Sequence, residues 1–328
     1  MRKRKELRKA AYFFIALILV LVMLFSGLQI LESTVFFKDA PVQPTGTSKT
    51  ITRNGIDYFP RQDITVILGL GIGEHGPVVS SNSYRNTGEA DAVFLLILDE
   101  AEQTYSVLCL NRDTMLEINA LGLGNKPAGT VFGQLALSHT YGEGLSDSCE
   151  NARDTISRFL NNIRIDYYVS LNMDAIALVN DAVGGVTVTV TEDFSQVDPS
   201  IPMGKVTLTG SQALSYVQSR MNLGNQLNIT RMERHKDYMN GFMEALNVKL
   251  DSGESFITDL YESVSPYMVT DCSVNTISGL LSRCSDYTLK EVVSPEGENV
   301  QGEQYYEFYV NEEKLDELIL RLFYAPKK

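Results

Sequence analysis

Histidine occurs three times in the 328-residue chain, cysteine four times and tryptophan not at all. His75, His139 and His235 are scattered, and Cys109, Cys149, Cys272 and Cys284 form no C-x-x-C pair. Structural and catalytic zinc sites draw on closely spaced His and Cys, so the scarcity argues against one. There is no G-x-S-x-G elbow, no S-x-x-K, no H-E-x-x-H and no Walker loop. A serine or zinc hydrolase is therefore disfavoured. Positive charge is also short: 28 Lys and Arg face 41 Asp and Glu, a net charge of −13. A general nucleic-acid binder needs a basic face to displace counterions from phosphate, and this chain has none to spare. Apolar residues are not lacking. At 44% hydrophobic the chain has material for a core, which excludes wholesale disorder, and its length allows one large domain or two smaller ones.

The charge is unevenly placed. Residues 1–9 (MRKRKELRK) carry six basic side chains against Glu6, or +5, which leaves −18 on everything after them. Ala10 to Leu31 follows, twenty-two residues without a charge. As a helix it is about 33 Å long, enough to cross a hydrocarbon core of about 30 Å. The basic cluster before it sets the N-terminus in the cytoplasm and the rest outside. The rival reading, a cleaved secretory signal, fits less well because the apolar run is long and no A-x-A site follows. Either one carries the bulk of the chain across the membrane.

The expected organisation is a cytoplasmic tail (1–9), a membrane helix (10–31), an extracellular linker (32–62), a main domain (63–250) and a small C-terminal α/β extension (251–328). Residues 38–62 hold three prolines and many Thr, Ser and Gly, the composition of a stalk. Cys272 and Cys284 could close a short disulfide loop, whereas Cys109, inside SVLCL, reads as a buried thiol.

From Asp63 onward, ITVILGL (64–70), AVFLLIL (92–98) and TYSVLCL (104–110) are apolar runs typical of buried strands. Residues 146–162 have a helical pattern with a polar start, and DYYVSL (166–171) is a further strand. Asn172 is placed to cap a helix over MDAIALVNDAV that Gly184-Gly185 ends before the strand VTVTV. GSQALSYVQSR is a short helix. A longer one starts near Arg231, with Thr230 and Glu233 as a T-x-x-E capping box. Beyond 250 come a helix near 273–283, strands YTLKEVV and QYYEFYV, and a helix opened by Asn311. Strands alternating with helices predict an α/β fold, a central mixed sheet covered by helices on both faces.

Gly71-Ile72-Gly73-Glu74-His75-Gly76 matches the dinucleotide pattern G-x-G-x-x-G after a strand. That motif needs a helix opening at its end, and the PVVSSNSYRNTG that follows is a poor helix, so a glycine-rich turn is the better account. The arginines are more informative. Arg112 lies just past a buried strand, Arg220 closes a helix, and Arg231 and Arg234 share the first turn of the next one. Cations there oppose the helix dipole, and an anion such as phosphate would explain their retention. Ion pairing with the many carboxylates is the alternative. Asp91, just before a buried strand, is placed to bind a metal or act as a base, or to be no more than a solvated turn residue.

In this order, Asp91 leading its strand, LNRDT, DYYVSLNMDAIALVNDAVGGVTVTV, LTGSQALSYVQSR and TRMERH resemble the LytR-CpsA-Psr family, most closely its divergent branch from Gram-positive anaerobes. The likeness spans residues 63–245. It implies a glycopolymer ligase on the outer membrane face, which transfers teichoic acid or capsule from a polyprenyl-pyrophosphate carrier to peptidoglycan, with pyrophosphatase as a side activity. Carried over by position, Arg112, Arg220, Arg231 and Arg234 would clamp the pyrophosphate. Asp91 would hold Mg²⁺ or Mn²⁺, or help activate the accepting hydroxyl. Asp113 would orient Arg112 or serve structure alone.

The departures are specific. The family's G-R-[ST]-D reads Gly88-Glu89-Ala90-Asp91, its R-x-R reads Gln218-Ser219-Arg220, and a second metal-binding Asp falls on Gly73, leaving Glu74 as a substitute ligand. The Gln that often follows R-x-x-R is His235. These losses define the rival expectation, a family member that binds polyprenyl-phosphate lipid or wall polymer without turning it over.

Overall fold

The computed structural model describes residues 37–38, 50–219 except 54, and, with interruptions, 234–326. The expected membrane helix and the capping box at Thr230 lie outside these residues. Among the described residues no helix is long and apolar enough to cross a membrane.

Six strands form the central sheet: β1 (Ile64–Ile72), β2 (Ala90–Asp99), β3 (Thr104–Leu110), β4 (Tyr167–Asn172), β5 (Met268–Thr270) and β6 (Thr288–Val293). Their order across the sheet is β5-β4-β1-β2-β3-β6. β2 runs antiparallel to β1 and β3, while β4 is parallel to β1 and β6 to β3, so the sheet is mixed. The apolar runs form strands because both of their faces are covered. Phe94, Leu96 and Leu98 of β2 pack on one side, and Val93, Leu95 and Ile97 on the other. Each fully buried Leu or Phe contributes about 2 kcal/mol of hydrophobic stabilisation. Gly69 of β1 sits opposite Phe94, whose ring fills the space a β-carbon would need.

The first face is covered by α2 (Ala175–Ala182), α3 (Gly210–Gln218), α4 (Phe256–Val264) and by Tyr238, Phe242 and Leu246. The second carries α1 (Ser146–Phe159), α5 (Glu312–Phe323) and an antiparallel strand pair, Met115–Leu121 with Pro127–Gln134. The αβα layering is therefore as expected. Several elements differ in detail. VTVTV is a strand, but it pairs with Gly204–Leu208 in a separate two-stranded sheet. Asn172 does not cap a helix. Met173 N donates to Glu74 O (3.0 Å) instead of entering a helix capped by Asn172; residues 173 and 174 form a turn, and the helix begins at Ala175.

Two segments pack differently from a stalk and an appendage. Ile51–Arg53 and Ile56–Pro60 form a sheet with the C-terminal strand Tyr324–Pro326. Residues 268–270 and 288–293, well beyond 250, supply both edge strands of the central sheet. Cys272 and Cys284 are free, as are Cys109 and Cys149, so no disulfide closes that loop. Cys109 is only half-buried, and its surroundings push its thiol up to about 11.

Candidate functional site

Because β2 runs against both of its neighbours, its first residues lie at the same end of the sheet as the last residues of β1, β3 and β4. Asp91, Gly73, Arg112 and Asn172 are gathered there by topology alone. Arg112 follows β3 in a tight turn: Asp113 N donates to Asn111 Oδ1 (3.0 Å) and Thr114 N to Asn111 O (3.0 Å). Its guanidinium is buried and engages three carboxylates. Nη1 pairs with Asp91 Oδ1, Nη2 donates to Glu89 Oε2 (2.6 Å), and Nε lies 3.4 Å from Asp113 Oδ1. One cation among three anions is a site of strong local field, and removing it would leave the little-exposed Asp91 and Asp113 and the more exposed Glu89 facing one another.

Gly73 explains how Asp91 reaches that position. A β-carbon at residue 73 would stand 2.5 Å from Asp91 Oδ2, so the aspartate occupies room that any larger residue would claim. The loop that carries Glu89 into β2 is held from behind. Asn86 Nδ2 donates to His139 O (2.9 Å), Gly142 O (3.1 Å) and Ser148 Oγ (3.0 Å), and Gly88 N donates to Asn86 Oδ1 (2.7 Å). His139 is fully buried. Its Nδ1 meets Gly88 O at 2.8 Å and its Nε2 lies 3.7 Å from Cys149 Sγ. Burial holds the imidazole down at about 4, so it is neutral and donates from Nδ1. Burial pushes the Cys149 thiol up to about 12, which makes it inert.

The glycine-rich turn opens no helix. Residues 77–84 are irregular, and the turn is tied to the end of β4 instead: Asn172 Nδ2 donates to Gly76 O (2.9 Å), Gly76 N to Asp174 Oδ2 (2.8 Å), and His75 Nδ1 meets Asp174 Oδ1 (2.7 Å). His75 and the Gly76 amide hold the Asp174 carboxyl below the usual carboxylate range, against the effect of its partial burial. Glu74 Oε1 accepts from Thr87 Oγ1 (2.5 Å).

A divalent ion needs several converging oxygen ligands. Among the described residues no group of three or more Asp, Glu, His or Cys is arranged to hold one. Asp91 and Glu89 are turned to Arg112 and Glu74 to Thr87, so the Mg²⁺ or Mn²⁺ expected at Asp91 and Glu74 finds no preformed cage among them.

Arg234 lies in different surroundings. Its Nη2 donates to Ser219 O (2.6 Å), Nη1 is 3.4 Å from Glu192 Oε2, and the guanidinium stands 5.4 and 5.8 Å from the ring centres of Phe194 and Tyr216. Burial lowers its pKa. Arg220 and Arg231 lie outside the described residues. Of the residues expected at the site, the structure brings Asp91 and Arg112 together, with Asp113 beside them. Asn86, His139 and Gln134 support the site without having been anticipated. Only Asn86 left a trace, because Asn-x-Gly is an Asx-turn signal.

A LytR_cpsA_psr family model matches residues 40–322. The chain is 29% identical over 208 residues to the polyisoprenyl-teichoic acid–peptidoglycan teichoic acid transferase TagU of Enterococcus faecalis, covering 63% of this chain and 61% of that one. It thus spans less than two thirds of that relative. Solved structures share the fold. TagV of Bacillus subtilis superposes with a TM-score of 0.56 at 21% identity, covering 80% of this chain and 96% of that one. TagT bound to LI-WTA gives 0.53 at 22% identity, with 80% and 90% covered.

Proposed function

Because the chain belongs to the LytR-CpsA-Psr family, we propose that it is a membrane-anchored phosphotransferase acting outside the cell. It moves a teichoic-acid- or capsule-like glycopolymer from a polyprenyl-pyrophosphate carrier to peptidoglycan. The observation that carries this reading is the buried Arg112 guanidinium, aimed at the sheet end beside Asp91. In the transfer, a sugar hydroxyl of the acceptor attacks the phosphorus bearing the glycopolymer. Its proton passes to the Asp91 carboxylate. The bond from that phosphorus to the bridging oxygen breaks, polyprenyl phosphate leaves, and a phosphodiester remains. Arg112 exchanges its carboxylate partners for phosphoryl oxygens, whose charge grows as the bond breaks. Arg220 and Arg231 are proposed to hold the rest of the pyrophosphate, while Arg234, donating to Ser219 O beside the rings of Phe194 and Tyr216, supports the chain there.

A second reading rests on Glu89, which occupies Arg112 at 2.6 Å where the family pattern has a cation. A site so neutralised binds lipid-linked phosphate or wall polymer without turnover. Purified full-length chain in detergent, given polyprenyl diphosphate and Mg²⁺, separates the two. Metal-dependent phosphate release that Asp91→Asn and Arg112→Ala abolish supports the transferase. Lipid binding that survives Asp91→Asn, with no turnover, supports the binder. Neither binding nor turnover by the unmodified chain defeats both.

A further inference from the structure

The C-terminal segment reaches the site through a hairpin, Gly297–Gln301 paired antiparallel with Tyr306–Val310. Its second strand docks on the turn that carries Arg112. Phe308 N donates to Asp113 O (2.9 Å), and Thr114 bridges Phe308 in parallel. Gln134, the last residue of Pro127–Gln134, closes the junction. Its amide nitrogen donates one hydrogen to Asp113 Oδ1 (3.0 Å) and the other to Tyr306 O (2.9 Å). Gln134 is 7% exposed and Asp113 6%. Both hydrogens of a buried amide are thus spent on joining three segments distant in sequence. The next two residues hold the opposite side of the turn, Leu135 N donating to Thr114 O (2.8 Å) and Ala136 N to Arg112 O (2.9 Å).

The orientation of Arg112 follows from this junction. Asp113 Oδ1, the oxygen that Gln134 fixes, is also the one 3.4 Å from Arg112 Nε. That contact is an ion pair without a hydrogen bond to Nε, so the charge of Asp113 faces the rear edge of the guanidinium while Nη1 and Nη2 face Asp91 and Glu89 at the sheet end. We propose that Gln134 is a positioning residue that ties the C-terminal hairpin to Asp113 and so sets the direction of the Arg112 guanidinium. The C-terminal segment is then a wall of the site. This rests on the reading of Arg112 as the group that meets the substrate's phosphoryl oxygens. A displacement of about 1 Å at such a group is enough to slow a reaction by one to two orders of magnitude.

The test uses the full-length chain in detergent with polyprenyl diphosphate, and compares Gln134→Met with Asp113→Asn. Gln134→Met keeps the volume and removes both donors; Asp113→Asn keeps an oxygen for Gln134. Assays are run well below each variant's unfolding temperature. The expected result for Gln134→Met is a kcat lower by about tenfold with KM within about twofold. Amide exchange at Thr114 and Phe308 should also be faster. Asp113→Asn should keep the slow exchange and lose less activity. Unchanged kcat and unchanged exchange in a folded Gln134→Met variant would overturn the proposal, and a lowered Tm with normal kcat would reduce Gln134 to a structural role. If the unmodified chain does not turn over the lipid, the transferase reading fails, while exchange at Thr114 and Phe308 still decides whether Gln134 holds this turn.

Discussion

Arg112 and Arg234 are buried to the same degree, each 6% exposed, yet their neighbours have little in common. Arg112 is encircled by Glu89, Asp91 and Asp113 at the open end of the sheet. Arg234 sits by the rings of Phe194 and Tyr216, with one carboxylate at 3.4 Å and one backbone carbonyl. The first arrangement concentrates ion pairs at the end of the sheet, where the proposed phosphoryl group would bind. The second packs a cation into the core beneath α3 and supports the chain at Ser219, next to Arg220. In sequence both are arginines at element ends, and the family resemblance assigns both to the pyrophosphate clamp. Burial alone does not separate them; what surrounds each guanidinium does.

The comparison is most directly broken at Arg112. Arg112→Ala should abolish lipid pyrophosphate cleavage by about 10²-fold or more and cost about 3 kcal/mol, read from turnover and from chemical denaturation. Normal turnover would remove Arg112 from the site. The loop opposite Arg112 is tested through His139. Its pKa is about 4 in the folded chain against an ordinary value of 6.5. The folded state therefore resists protonation that the unfolded chain accepts. This contribution is fully present above pH 6.5 and is lost as pH falls towards 4, up to about 3 kcal/mol. Denaturation midpoints measured between pH 7 and 4 should fall, and His139→Asn should flatten that slope.

Arg234→Met should behave unlike Arg112→Ala. Methionine fills the space beside the stacked rings of Phe194 and Tyr216 but leaves Glu192 without its cation, so stability should drop by about 2 kcal/mol while turnover falls less than tenfold. An activity loss as large as that of Arg112→Ala would put both arginines on the substrate and erase the distinction. Gly73→Ala brings a β-carbon to 2.5 Å from Asp91 Oδ2, pushing Asp91 off Arg112. The expected cost is about 1 kcal/mol, with a several-fold change in turnover rather than its loss. The smallest effect is expected from reductant. With all four described cysteines free, it should shift Tm by less than about 1 °C.

Much of the fold was legible because its strands are buried on both faces. ITVILGL, AVFLLIL and TYSVLCL each became a strand, the last with the expected bounds Thr104–Leu110. The Asn311 cap was legible too, since its side chain accepts from Lys314 N (3.1 Å), a purely local contact. The pair Met115–Leu121 and Pro127–Gln134 was not anticipated. Its strands mix Glu, Asn, Gly and Thr with apolar residues, and pairing with each other and with Phe37–Lys38, together with packing on α1, makes them extended. The hairpin Ile51–Pro60 reads as a stalk because its partner, Tyr324–Pro326, lies at the other end of the chain.

By itself, then, the sequence determined the local terms: which runs must be buried, where helices start, and that arginines and an aspartate stand at element ends. Hydrophobic periodicity and capping act over a few residues, so they can be read along the chain. Tertiary structure alone decided that the antiparallel β2 carries Asp91 to the end of β3. It also decided that Glu89 and Asp91 share Arg112 while Arg234 lies among rings, and that an amide at Gln134 links residues 113 and 306. Those contacts depend on strand order and on segments far apart in the chain, and no local propensity encodes them.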